Sequence, residues 1–95
     1  MSYRDLQVDL DRGVIKNHQR RALLTKNEMI ILRHLLDSQG KIVTRDALMT
    51  DLWNNQEYIN DNALTVNISR LRSKLDSLGA KDAIETRKGL GYILQ

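Results

Sequence analysis

Residues 61–75 read DNALTVNISRLRSKL, and no other stretch of the chain restricts its fold so tightly. At about 100° per residue, Leu64, Ile68, Leu71 and Leu75 fall within one narrow arc of a helix. That arc is an apolar stripe which other elements must cover. The opposite arc holds Asn62, Val66, Ser69, Arg70 and Ser73, with Ala63, Thr65, Arg72 and Lys74 on its flanks, and no acid stands between Asp61 and Asp76. A solvated helix face ordinarily mixes Glu with Lys and gains i,i+4 pairs. Here the cations are expected to stay unpaired, which suits a helix laid against phosphates and base edges. Val66 is apolar and sits opposite the apolar stripe. Single exposed valines are common, but among Asn62, Ser69 and Arg70 its methyls are better read as partners for a thymine methyl.

Ninety-five residues form one domain with a single modest core. The chain is 41% hydrophobic and 28% charged, which predicts a globular rather than a disordered protein. It has no Phe and one Trp, so Leu, Ile, Val and Met must build the core. Without cysteine it has neither disulfides nor thiolate metal sites. No apolar run is long enough to cross a bilayer, no leader peptide is expected, and no membrane partner is expected. The net charge is only +3, but it is unevenly placed: +2 over residues 1–24, −1 over 25–60 and +2 over 61–95. That pattern fits an oriented contact with an anion rather than uniform basic coating.

Leu6, Val8 and Leu10 alternate with polar residues as a half-buried strand does. Turns at Asp11–Gly13 and Asn17–His18 then divide the next residues into strands at Gly13–Lys16 and near Gln19–Leu24. An antiparallel meander of three strands, with room for a fourth, is expected. Thr25 and Glu28 form the S/T-x-x-E capping box of a helix whose apolar face is Met29, Leu32, Leu35 and Leu36. Gly40 is its stop. Ile42 and Val43 form a short extended piece. Thr44 caps a second helix with Ala47, Leu48, Leu52 and Trp53 turned inward, a polar loop runs from Asn54 to Asn60, and Asn60 or Asp61 caps the third helix. Ile84–Arg87 and Gly91–Leu94, joined by Lys88-Gly89-Leu90, make a terminal hairpin. The expected architecture is α+β: a winged helix-turn-helix with an N-terminal antiparallel sheet, three helices and a C-terminal β-hairpin wing.

The string LTKNE…ILRHLLDSQGKIVTRDALMTDLW…DNALTVNISRLRSKL…IETRKGLGYIL resembles the DNA-binding effector domain of OmpR/PhoB-type response regulators. L-T-x-x-E, V-T-R-x-x-L, R-L-R-x-K-L and the terminal R-K-G-x-G-Y occur in the family's order across residues 6–94. The resemblance implies a bacterial, cytoplasmic transcription factor of a two-component system. Its third helix would enter the major groove of double-stranded DNA and its wing the neighbouring minor groove. The loop Asn54, Asn55, Gln56, Glu57 and Tyr58 would face RNA polymerase. Full-length members carry an N-terminal receiver domain served by a sensor histidine kinase, so residues 1–95 are expected to be one winged-helix domain without its receiver, binding tandem half-sites. Where PhoB-like helices begin Arg-Thr, this one has Asn62-Ala63, and Thr65-Val66-Asn67 replaces Asp-Val-His, so a different operator is expected. The wording DNALTVNISRLR and ETRKGLGY is closer to regulators of cell-envelope and antimicrobial-peptide resistance.

Arg70 is the first candidate to read a base, because a fork to guanine needs a long planar donor at the centre of the free face. A phosphate contact is its alternative. Asn62 and Asn67 are candidates for adenine, and Asn62 equally for a solvated or capping role. Arg72 and Lys74 are expected on phosphates, with an internal ion pair as the alternative for Arg72. Thr65 and Ser69 either bind phosphate or keep the face small. Lys88 aligns with the family's minor-groove cation and Arg87 stands beside it; solvated hairpin charges are the alternative. Thr86 is a phosphate candidate, and Tyr92 is expected to pack under the hairpin. Thr44 and Arg45 open the second helix, whose free amides suit a phosphate. Trp53 stands where the family meets phosphate, although core packing is the simpler reading.

His18 and His34 are read as isolated structural or surface residues, with no carboxylate or second His at ligand spacing, and no nucleophile–base pair is present, so neither a metal, a cofactor nor catalysis is expected. The rival function is a winged helix used only to bind protein, which would call for an apolar or acid-containing third-helix face.

Overall fold

The computed structural model describes residues 1–95. Strands β1 (Ser2–Tyr3), β2 (Leu6–Asp9), β3 (Val14–Lys16) and β4 (Arg21–Leu23) form a four-stranded antiparallel meander in chain order. The fourth strand is the short N-terminal β1, which pairs Tyr3 with Leu6. Alternation decides the sheet's faces: Leu6, Val8 and Ile15 point inward, while Gln7, Asp9 and Lys16 face out. Gly13 allows the β2–β3 turn at φ +65°, and a Cβ there would lie 2.7 Å from the Met29 sulfur.

Helix α1 (Lys26–Asp37) starts at the capping box: the Glu28 amide donates to Thr25 Oγ1 at 3.2 Å and the Thr25 amide to Glu28 Oε1 at 2.7 Å. Its fully buried residues are Ile31, Leu32, Leu35 and Glu28, whereas Met29 and Leu36 are only partly covered. The helix buries a wider face than its most regular stripe because the sheet and the other two helices approach it from different sides. Strand β5 (Val43–Thr44) leads into α2 (Arg45–Asn54), whose first turn Thr44 caps through the Ala47 amide at 3.0 Å. Asn60, not Asp61, caps α3 (Asp61–Ser77), accepting from the Ala63 amide at 2.8 Å.

The hairpin of β6 (Ile84–Arg87) and β7 (Gly91–Leu94) is a three-stranded sheet, not a free ribbon, since β5 adds to β7 with Val43 opposite Tyr92 and Thr44 opposite Gly91. Gly91 makes this possible: a Cβ there would lie 2.0 Å from the Val43 carbonyl oxygen. One apolar cluster joins both sheets and all three helices, with Leu32, Leu48, Leu64, Leu71 and Leu75 fully buried at its centre. Each such leucine contributes about 1.5–3 kcal/mol of transfer free energy. The cluster holds α3 by its apolar stripe and turns the opposite face out. The fold is the α+β winged helix-turn-helix: N-terminal sheet, three helices, C-terminal wing.

Candidate nucleic-acid interface

Helix α3 presents Asn62, Thr65, Val66, Ser69, Arg70 and Ser73 to solvent. Val66 is 45% exposed, an unusual position for a β-branched residue in a chain whose other valines are covered or half-covered. Arg70 is exposed and makes no ion pair or hydrogen bond within the protein. Its exposed neighbours on the face, Val66, Ser69 and Ser73, are short, so the guanidinium is the longest group there. At the wing tip, Lys88 is likewise exposed and unpaired, beside Gly89 at φ +76° and the exposed Leu90. These two cations, one on the helix and one on the wing, are the free charge of this surface.

The expectation of an entirely unpaired basic face is corrected by the remaining cations. Lys74 donates to Glu28 Oε1 at 2.6 Å and to the Leu23 carbonyl at 2.8 Å, tying α3 to α1 and β4. Its long stem lets it reach past the helix edge to a carboxylate that has no exposure at all. Arg72 donates through Nε to the Ile84 carbonyl at 3.1 Å and through Nη2 to Thr86 Oγ1 at 2.8 Å. Both Arg72 and its acceptor Thr86 are thereby engaged within the protein rather than held out for phosphate. Arg45 pairs with Asp61 at 3.0 Å and donates to the Asp61 carbonyl at 2.8 Å, Thr65 Oγ1 at 3.0 Å and the Tyr92 hydroxyl. Thr65 is therefore also spoken for, although it remains exposed.

Asn67 is corrected as well. It is only 9% exposed and its amide donates to the Ala63 carbonyl at 2.8 Å, one turn back on the same helix. Standing three residues after Leu64 and four before Leu71, it lies beside the buried stripe. Asn62, in contrast, is exposed on the first turn.

Trp53 does not turn inward. It is 52% exposed and its indole donates to the Ile59 carbonyl at 3.2 Å, so it covers the loop between α2 and α3. In that loop Tyr58 is 76% exposed, Asn55 caps α2 by donating to the Asp51 carbonyl at 2.8 Å, and Glu57 pairs with Lys26 at 3.3 Å. Asn54 ends α2, and Gln56 takes a left-handed backbone at φ +65°. In the wing, Arg87 lies 3.3 Å from Glu85 and remains exposed. Tyr92 packs under the hairpin at 5% exposure, as expected. Thr44 is exposed while capping α2, and Ser69 is exposed with no partner of its own. His34 is not isolated: its Nδ1 lies 2.8 Å from Asp51 Oδ2 and joins α1 to α2.

A protruding helix with a free arginine, flanked by a cation-tipped wing, defines the class of winged-helix domains built to engage an extended anionic partner. The family described as "Transcriptional regulatory protein, C terminal" matches residues 19–94. The chain belongs to this family, as its kinship with OmpR/PhoB-type effector domains already suggested. It is 44% identical to the response regulator protein GraR of Staphylococcus epidermidis over 93 residues, covering 98% of this chain and 42% of GraR. The chain thus spans about two-fifths of the length of that relative. Among solved structures, the C-terminal domain of the nisin resistance regulator NsrR, a lantibiotic response regulator, superposes with a TM-score of 0.88 at 32% identity, over 99% of this chain and 95% of that one. The DNA-binding domain of response regulator AdeR, solved in complex with an intercistronic region, superposes with a TM-score of 0.81 at 26% identity, over 99% and 96%.

Proposed function

We propose that this chain binds double-stranded DNA in a sequence-specific manner as the effector domain of a two-component response regulator, and so controls transcription. The observation that carries the reading is the free face of α3, where unpaired Arg70 stands with exposed Val66, Asn62 and Ser69 beside the unpaired Lys88 of the wing. Helix α3 lies in the major groove, with Arg70 forked to guanine and Val66 on a thymine methyl. Lys88, with Arg87 beside it, enters the minor groove. The N-terminus of α2 at Thr44, and Ser69 on the third turn of α3, approach the backbone, while Asn62 on the first turn of α3 is offered to a base edge. AdeR's complex with DNA supports this arrangement by likeness of fold and family.

The wider assignments follow the family. Residues 1–95 are a single winged-helix effector domain acting downstream of a receiver domain and a sensor histidine kinase in the cytoplasm. Two copies occupy tandem half-sites spaced by roughly one helical turn, about 10–11 base pairs. The loop Asn54–Tyr58, with Tyr58 exposed, meets RNA polymerase. Likeness to a nisin resistance regulator favours target genes of antimicrobial-peptide resistance. No helix is long and apolar enough to cross a membrane.

The test is selection from random duplex DNA, followed by affinity measurements against salt. Binding should weaken steeply as salt rises, by nearly one unit of log–log slope for each phosphate neutralised. Arg70→Ala should cost about 1–3 kcal/mol at the selected site and broaden the base preference there. Affinity unchanged between low and moderate salt would remove the reading, and an intact selected motif in Arg70→Ala would remove Arg70 as its reader.

A further inference from the structure

Arg45 and Arg72 grip opposite ends of a single rung of the wing. Thr86 and Tyr92 are paired across the β6–β7 hairpin. Arg72 reaches Thr86 from the fourth turn of α3, at 2.8 Å, and takes the Ile84 carbonyl with its Nε. Arg45 reaches the Tyr92 hydroxyl from the first residue of α2, while its other nitrogens hold the Asp61 carbonyl, the Asp61 carboxylate and Thr65 Oγ1 on the first turn of α3. Its guanidinium also lies 5.9 Å from the centre of the Tyr92 ring. Two planar forks therefore tie one rung of the wing to both ends of the exposed stretch of α3. The next pair outward is Arg87 with Gly91, and the tip with Lys88 follows at once.

A β-hairpin beyond its supporting strand is a lever, and a small rotation at its root displaces the tip. Here β5 supports β7 at Val43 and Thr44, so β6 has no strand on its outer edge. Arg72 provides the side-chain tie on that edge. We propose that Arg45 and Arg72 are positioning residues which set the span between α3 and the wing tip, and so fix which minor-groove position Lys88 reaches when Arg70 is seated in the major groove. This rests on the DNA-binding reading. It assigns the two arginines to discrimination between sites rather than to general attraction for DNA. Lysine cannot replace either, because one ammonium cannot span the planar pair of acceptors that each fork holds.

The experiment uses the duplex that the wild-type chain selects from random DNA and a scrambled duplex of equal length, each titrated by fluorescence anisotropy over a range of salt. Arg72→Lys and Arg45→Lys should each lose about tenfold in affinity for the selected duplex, the scale of one charge-assisted hydrogen bond. Affinity for the scrambled duplex and the salt slope should stay at the wild-type values, since charge is conserved. Lys88→Ala, which weakens the wild type, should weaken Arg72→Lys less, because a misplaced wing no longer delivers its cation; this coupling is absent if Arg72 only stabilises the fold. Thr86→Val keeps both arginines and removes only the acceptor on an exposed residue, and it should reproduce the loss in weaker form. That variant decides the matter if an arginine variant does not fold.

Lysine variants that bind both duplexes as the wild type does would overturn the proposal. So would equal losses on both duplexes with a slope reduced by about 0.9 in Arg72→Gln, which is the mark of a phosphate contact. A wild type with no salt-dependent binding to any duplex overturns the DNA reading itself, and the proposal with it.

Discussion

Replacing Lys74 by Met separates two roles that its place on a basic helix face would confuse. Glu28 is fully buried. Its Oε1 receives the Lys74 ammonium at 2.6 Å and the Thr25 amide at 2.7 Å, while Oε2 has no partner in the protein. Methionine keeps most of the apolar stem but removes the charge, which leaves a carboxylate in the core with one neutral donor. Breaking a buried pair from one side costs about 3–5 kcal/mol. Lys74 retains 30% side-chain exposure, which lowers the effective desolvation and argues for the bottom of that range, about 3 kcal/mol. For a domain of this size each kcal/mol moves the melting temperature by roughly 4–8 °C, so the expected fall is about 12–24 °C. The assay is urea and thermal unfolding followed by far-ultraviolet circular dichroism. Adding Glu28→Gln to Lys74→Met should recover much of the loss, because it removes the uncompensated charge while keeping an acceptor for the Thr25 amide. Salt dependence of DNA binding should be the same in the folded variant as in the wild type. A melting temperature within about 3 °C of wild type, joined to a salt slope lower by about 0.9, would refute the reasoning and return Lys74 to the phosphates.

Three further expectations follow from single positions. Val66→Ser should leave folding within a few tenths of a kcal/mol and weaken specific binding by roughly 1 kcal/mol, the scale of one buried methylene. A thymine-to-uracil scan checks this, since the two proteins should converge at the contacted base. Gly91→Ala should cost at least about 2 kcal/mol, because the new Cβ meets the Val43 carbonyl and β5 must leave β7; wild-type urea unfolding in the variant would contradict it. Burial raises the Tyr3 phenol above its ordinary value of 10.0, while its hydroxyl donates to the Gln95 carbonyl at 2.7 Å. A folded value above the unfolded one means that this stabilisation is complete below pH 10 and is lost as pH rises further. Stability of the wild type should therefore fall more steeply than that of Tyr3→Phe in alkaline urea titrations, and parallel curves would rule the link out.

Features held within a single turn or hairpin are legible in the residues alone. Thr25 with Glu28 marks the start of α1 because both halves of the capping box lie within one turn. Leu64, Ile68, Leu71 and Leu75 marked the buried side of α3 because helical period alone relates them. The same period carried the signal for Asn67, which stands at helical spacing from both Leu64 and Leu71, yet its polarity drew it to the wrong face. Glycines at the hairpin marked the wing, and family motifs over nearly the whole chain marked the class.

Which cations are free depends on how the elements pack. Lysine and arginine stems reach several ångströms to either side, so a residue's place on a helical wheel does not say which neighbour its charge meets. Lys74 meets Glu28 and Leu23, Arg72 meets Ile84 and Thr86, and Arg45 meets Asp61, Thr65 and Tyr92, all partners brought near by packing rather than by spacing along the chain. Trp53 stays outside, where the indole finds the Ile59 carbonyl in the loop, while Leu52 beside it is the residue that enters the core. Arg70 alone among the helix-three cations has no acceptor within the protein, and its charge is left to whatever the helix meets.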